Sequence, residues 1–282
     1  MEESISTSPK PKKLYRYFSL DPCNKEFIKR ILDILSKHRL YAPSPRELND
    51  PFDCIVKLES PDQSVEEEIQ RRVNEGGVLS FSENNDNILM WAHYANKHYG
   101  VCLEFEMNRW EEIPVDPYLQ KIDYKMERPL ISQSDISCAT GSSLSGSSFP
   151  SPSAPPEPYL LKKMAFVKHN DWEYEKEWRI ICPFKDPSDR YLIFPKEVLT
   201  GIIFGLKTSP ADRQRIRAAV ESSNSNLNFY EAIENKTRFE VEIIPLSGGF
   251  SPCVQSPSRG FLAFIRSLIS IRFRFPLFSC RK

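Results

Sequence analysis

The sequence carries none of the short signatures that announce the common nucleotide-handling and hydrolytic folds. It has no G-x-G-x-x-G, no P-loop and no G-x-S-x-G, which weighs against a Rossmann dehydrogenase, a P-loop NTPase and an α/β-hydrolase. It has no charge excess of either sign: 38 Lys and Arg balance 38 Asp and Glu over 282 residues. The broad basic footprint of a nucleic-acid-binding domain is therefore missing, although a local basic patch stays open. The seven cysteines (Cys23, Cys54, Cys102, Cys138, Cys182, Cys253 and Cys280) are scattered and include no C-x-x-C pair. They read as small apolar residues in a reducing compartment, not as a disulfide framework or a zinc site. No apolar run has the length of a membrane span, and MEESISTSPKPKKLYRYFSL has no apolar core of signal-peptide length. These absences lead us to expect a cytoplasmic protein without a metal.

What is present is a core-forming composition, 40% hydrophobic and 12% aromatic. After a flexible lead over residues 1–13, LYRYFSL alternates like a strand. Phe27, Ile28, Ile31, Leu32 and Leu35 fall on one face of a helix over 25–38, with Asn24 as its cap. Ser64 with Glu67 has the form of a capping box opening a second helix. VLSFSE reads as a strand. NILMWAHYANKHYG reads as a helix that Gly100 ends, with Ile88, Trp91, Ala92 and Ala95 on one face. VCLEFE alternates Val101, Leu103 and Phe105 against Cys102, Glu104 and Glu106. LLKKMAFVKH reads as a short helix. RYLIFP, TGIIFGL, NFYEAIE and FEVEIIPL read as strands around a helix over 210–222. The pattern predicts an α+β fold: one domain over 14–246 built on a single mixed, mostly antiparallel sheet with flanking helices.

Two segments stand apart. Residues 132–158 are Ser-, Pro- and Gly-rich and cannot bury enough surface to offset their ordering entropy, so we expect a disordered insertion inside the domain. Residues 247–282 are apolar and basic, with Arg259, Arg266, Arg272 and Arg274 breaking the apolar run. They read as a poorly ordered tail, or as a segment lying on a membrane surface.

Chemistry concentrates in DWEYEKEWRII. As an extended strand it places Glu173, Glu175 and Glu177 on one face with Arg179. Crowded carboxylates raise at least one pKa unless a cation intervenes, which suits general base work or stabilisation of a developing cation. The plainer alternative is a solvated edge strand whose acids pair with Arg179 and nearby lysines. Ser80 and Ser82 share a strand face. His93 and His98 are five apart, a poor spacing for metal ligands on a helix. Trp91 and Tyr94 suit a core or a pocket wall. Arg16, in an aromatic strand, needs an acidic partner or a phosphate because its charge cannot be shed. Asn49, Asp50 and Asp53 suit a turn.

In order and character, LYRYFSL, RLYAPSPRELNDPFDC, the FSE…MWAHYA…HYGVCLEF block, W-x-x-E-x-E-W-R and TGIIFGLK resemble the bacterial domain-of-unknown-function family 2971. The resemblance spans about Leu14 to Leu246 without the insertion, and it implies a fold more than an activity. Glu175-Lys176-Glu177 running into an apolar strand is also similar to the E-x-E turn of arginine-type (R-S-E) ADP-ribosyltransferases. That resemblance implies NAD as a substrate. Arg16 would hold a phosphate, and Ser80 or Ser82 (Ser44 being the other match) would orient the acid. Glu177 would stabilise the oxocarbenium-like ribose, Glu175 would activate the acceptor, and Tyr17 or Trp91 would stack on nicotinamide. A toxin or phage-defence effector that modifies a protein or nucleic acid follows from it. Two other readings stand beside it. One is a non-enzymatic binding or regulatory module whose acid cluster is an ion-paired surface. The other is a nuclease that uses Asp50, Asp53 and the glutamates for Mg²⁺, which the neutral charge disfavours.

Overall fold

The computed structural model describes residues 11–246 apart from 22, 61, 111–118, 141–162, 183–188, 224 and 225. In chain order the strands are β1 (Lys13–Phe18), β2 (Arg39–Tyr41), β3 (Gly77–Ser82), β4 (Val101–Glu106), β5 (Leu119–Lys121), β6 (Asp123–Lys125), β7 (Val167–His169), β8 (Glu177–Cys182), β9 (Tyr191–Ile193), β10 (Leu199–Phe204), β11 (Asn228–Glu234) and β12 (Val241–Pro245). The helices are α1 (Lys25–Lys37), α2 (Gln63–Val73), α3 (Ile88–Tyr94), α4 (Gln133–Thr140) and α5 (Pro210–Ser222).

Eight strands form one sheet in the order β12-β11-β10-β4-β1-β3-β8-β5. Its neighbours are antiparallel except β10 and β11, so the expected α+β class with a mixed, mostly antiparallel sheet is what the chain adopts. Two small ribbons, β2 with β9 and β6 with β7, flank it. One sheet face packs Leu14, Phe81, Phe105 and Ile180 against α1 and α5 in the largest core cluster. The other face is covered by α2 and residues 163–166 around Val78 and Ile181, and by α3 around Cys102 and Ile203. Both sides of β4 are therefore buried, including Glu104 and Glu106. Lys13 at 3.0 Å and the Thr200 hydroxyl at 2.8 Å satisfy Glu104.

Four expectations change. The cap of α2 is Asp62, whose carboxylate accepts from the Ser64 and Val65 amides. A carboxylate two residues earlier serves the orphan donors better than Ser64 would. α3 stops at Tyr94 instead of running to Gly100, because Asn96, Lys97 and His98 take positive φ angles of 45°, 55° and 73°. The turn brings Gly100 under β1, where a Cβ would lie 2.1 Å from the Phe18 carbonyl oxygen. Ile88 is consequently exposed, and Met90, Trp91 and Ala95 are the buried residues. The stretch read as a helix over 160–169 ends instead in strand β7. Finally, Asn170–Glu175 is a 3₁₀ turn, and β8 begins only at Glu177. Of the segment expected to lack structure, Gln133–Thr140 form α4. Its residues 141–158, the lead up to Lys10 and the whole 247–282 tail lie outside the described residues.

Candidate functional site: a charge network at a parted sheet

The sheet is parted near its centre. β3 and β8 are paired from Gly77↔Cys182 to Ser82↔Glu177, and β1 and β4 from Lys13↔Glu106 to Phe18↔Val101. β1 and β3 meet at a single pair, Tyr15↔Ser82. A cavity of about 900 Å³ is lined by both separated strands and by α1, within the size range of ligand sites.

Residues opposite one another in an antiparallel pair share a sheet face. Ser80 with Arg179, and Ser82 with Glu177, therefore lie on one face, and Arg16 lies on the other beside Phe18 and Phe81. The gap lets the two faces reach one cavity. Arg16 spans it and donates from Nη1 to the Ser80 carbonyl at 3.2 Å. Its guanidinium carbon stands 5.6 and 5.8 Å from the Phe18 and Phe81 ring centres, and among the described residues no carboxylate pairs with it. Burial, and then the neighbouring charge of Arg30, lower its pKa to about 10. The charge of Glu177 acts the other way without pairing with it, and Arg16 stays protonated.

On the other face five charged groups interlock. Arg179, 1% exposed, donates to both Asp53 oxygens (2.8 and 2.5 Å) and to both Glu177 oxygens (2.6 and 3.0 Å). Lys168 Nζ lies 2.5 Å from Glu175 and 3.1 Å from Glu177, above the Trp172 ring at 4.8 Å. The Tyr94 hydroxyl donates to the second Glu175 oxygen at 2.5 Å and accepts from the Asn49 amide at 3.0 Å.

The 3₁₀ turn is what makes this possible. His169 caps it, and Lys176 in the left-handed region (φ 43°) redirects the chain. Glu175 and Glu177 thus approach Lys168 from either side of a bend, while Asp171 and Glu173 are left exposed.

Fully ionised, three carboxylates (Asp53, Glu175 and Glu177) would face two cations (Lys168 and Arg179). The two glutamates resolve the mismatch differently. Burial pushes Glu177 up, but Arg179 and then Lys168 outweigh it and hold the carboxyl well below the usual range. Burial dominates for Glu175, and with the nearby charge of Glu177 it raises the carboxyl despite Lys168. Glu177 is thus the carboxyl held more firmly as an anion, and Glu175 the one that binds a proton more readily. Lys168 is held above its ordinary range because Glu177 and Glu175 outweigh its burial.

Of the residues singled out in the sequence, Arg16, Tyr17, Ser80, Ser82, Glu175 and Glu177 all line the cavity. Ser80 lies on the face that carries Glu177 and helps to lower its carboxyl. Ser82 donates to the Glu175 carbonyl at 2.7 Å. The Tyr17 hydroxyl donates to the Asn84 carbonyl at 2.9 Å. Trp91 does not line the cavity: it is fully buried, edge-on to Tyr17 at 5.1 Å, and its Nε1 bonds the Asn85 carbonyl. Ser44 is also elsewhere, bonded to the Asn74 carbonyl. The acid cluster is a buried network, not a solvated surface. Lys168 escaped the sequence reading; Asn49 and Asp53 stood in it as turn residues and Tyr94 as core or pocket wall, not as partners in this network. The available signal was Arg179 itself, since an arginine inside an apolar strand requires buried acids from elsewhere in the chain.

An α+β domain with a buried, five-membered charge network opening on a cavity is the class of protein defined here. The family model described as Protein of unknown function (DUF2971) matches residues 90–180, so the chain is similar to that family over the stretch that supplies Tyr94, Lys168, Glu175, Glu177 and Arg179. No curated protein and no solved structure matches the chain. Among the described residues no helix is long and apolar enough to cross a membrane.

Proposed function

We propose that the cavity binds NAD and that the chain breaks its nicotinamide–ribose bond, passing ADP-ribose to a protein or nucleic-acid acceptor, as suits a toxin or phage-defence effector. The observation that carries this reading is Arg16: a half-buried cation on a cavity wall, with a neutral carbonyl as its hydrogen-bond partner and, among the described residues, no paired carboxylate. Such a group favours a phosphate, which a guanidinium binds through two parallel bonds. In this reading the C1′–N bond breaks with its electron pair leaving on nicotinamide. The fixed negative charge of Glu177, oriented by Ser80, faces the cationic ribose. The ionised Glu175 takes the proton that the attacking acceptor hydroxyl or amine releases. Glu175, with its raised proton affinity, is the better base, and Glu177 the better electrostatic group. Tyr17 stands on the same wall to contact the leaving ring.

The test is NAD turnover by the purified protein, followed by release of nicotinamide. Arg16→Ala and Glu175→Gln should abolish it without unfolding the chain. Wild-type protein that leaves NAD intact in the presence of candidate acceptors would remove this reading.

A second reading has its own observation. Both oxygens of Glu177 and both of Asp53 are taken by Arg179, so the network also works as a staple between β8 and the 49–54 loop of a non-enzymatic binding module. In that case Glu175→Gln changes stability alone.

A further inference from the structure

The outer wall of the cavity carries a feature the charge network does not use. In the β2–β9 ribbon Tyr41 lies directly opposite Tyr191. Their rings meet at 66° with centroids 5.6 Å apart, and they remain 40% and 38% exposed. Both line the same cavity as Arg16. Neither ring hangs loose. The Tyr41 hydroxyl donates to Glu47 at 3.1 Å. The Arg39 guanidinium covers Tyr191 at 3.8 Å from its centroid, and Asp33 pins that guanidinium with bonds of 2.9 and 3.2 Å.

A large aromatic ring gains by burial, yet here two are held rigid and left partly in solvent at a cavity wall, beside a planar cation. Fixed aromatic and guanidinium planes are what a flat heterocycle stacks on, with little ordering cost because the platform is already in place. The rings are too close for a third to enter between them, since two stacking contacts need about 7 Å. The open ring faces are the contact surface.

We propose that the β2–β9 ribbon is a stacking platform for the nucleobase of the cavity's ligand, which makes that ligand a nucleoside diphosphate or a larger molecule containing one, not a simple sugar phosphate. This rests on the reading that Arg16 takes a phosphate, but not on any bond being cleaved.

Calorimetric binding to the full chain tests it, with ADP and inorganic pyrophosphate as separate probes. ADP is expected to bind the wild type more tightly than pyrophosphate does. Tyr41→Ala or Tyr191→Ala should weaken ADP by roughly 5- to 150-fold, the range for loss of one base–aromatic stack. Tyr191→Phe should keep wild-type affinity, and pyrophosphate binding should be the same in all variants. If ADP binds no better than pyrophosphate, or both alanine variants bind ADP as the wild type does, the platform is overturned while the phosphate site survives. Binding of neither probe overturns both. ADP binding that depends on the tyrosines, together with intact NAD, keeps the platform and removes the glycosyl-transfer reading.

Discussion

Asp53 and Arg179 lie 126 positions apart in the chain and meet fork to fork, with bonds of 2.8 and 2.5 Å in a site from which solvent is nearly excluded. Such a pair adds little to stability compared with an apolar substitute, but losing one partner leaves a buried charge uncompensated. Asp53→Ala should therefore cost about 3–5 kcal/mol, read as a lower urea midpoint. A loss below about 1 kcal/mol would show that Arg179 is adequately paired by Glu177 alone.

Arg16 should behave in the opposite way. Among the described residues it is paired with no carboxylate, so Arg16→Met, which keeps the length and removes the charge, should leave stability within about 1 kcal/mol of the parent or raise it. The same variant should lose pyrophosphate binding. Stability and binding moving in different directions is the mark of a residue kept for a ligand. A variant that unfolds would instead mark Arg16 as structural.

The two glutamates should leave opposite traces on the pH dependence of stability. Glu175 has a folded pKa above its ordinary 4.5, through burial first and Glu177 next. Its contribution is full below that ordinary value and is lost as pH rises through the folded one. Glu177 has a folded pKa below 4.5, so its contribution is present above the ordinary value and is lost as pH falls through the folded one. Over about pH 2–8, Glu175→Gln should gain on the parent as pH rises above the ordinary 4.5, and Glu177→Gln should gain on it as pH falls below 4.5. Urea titrations across that range decide the matter. Parallel curves for the two variants would contradict the assignment.

Gly100 gives a purely steric prediction. A Cβ there would meet the Phe18 carbonyl at 2.1 Å and Ala95 at 2.9 Å, and backbone cannot yield as a side chain can. Gly100→Ala should cost about 3 kcal/mol, measured by thermal unfolding.

How far the sequence went depends on the range of the interactions involved. β1, α1, β3, β4 and α5 follow from period and caps, which are local. The end of α3 does not, because the left-handed run Asn96–His98 contains no glycine to announce it and answers to the close approach of Gly100 and β1. Glu177, Arg179 and the serines could be singled out because they share neighbouring positions. That Asp53, Lys168 and Tyr94 join them could not be read, because what gathers them is the order β1-β3-β8 and a 3₁₀ turn. The expected even strand of acids at 173, 175 and 177 failed for the same reason: Lys176 bends the chain so that a buried lysine can reach two carboxylates at once.

The single rung between β1 and β3 also bears on cooperativity. At Tyr15↔Ser82 the ladder nearly stops, so the half-sheet of β1, β4, β10, β11 and β12 and the half-sheet of β3, β8 and β5 are coupled mainly by side chains, with Arg16 reaching Ser80 and Tyr17 reaching Asn84. Backbone amides along this seam should exchange with solvent sooner than those of β4 or β8, and an anion gripped by Arg16 should slow them. A molecule bound there would complete the sheet, so that filling the cavity and fastening the two halves of the fold are one event.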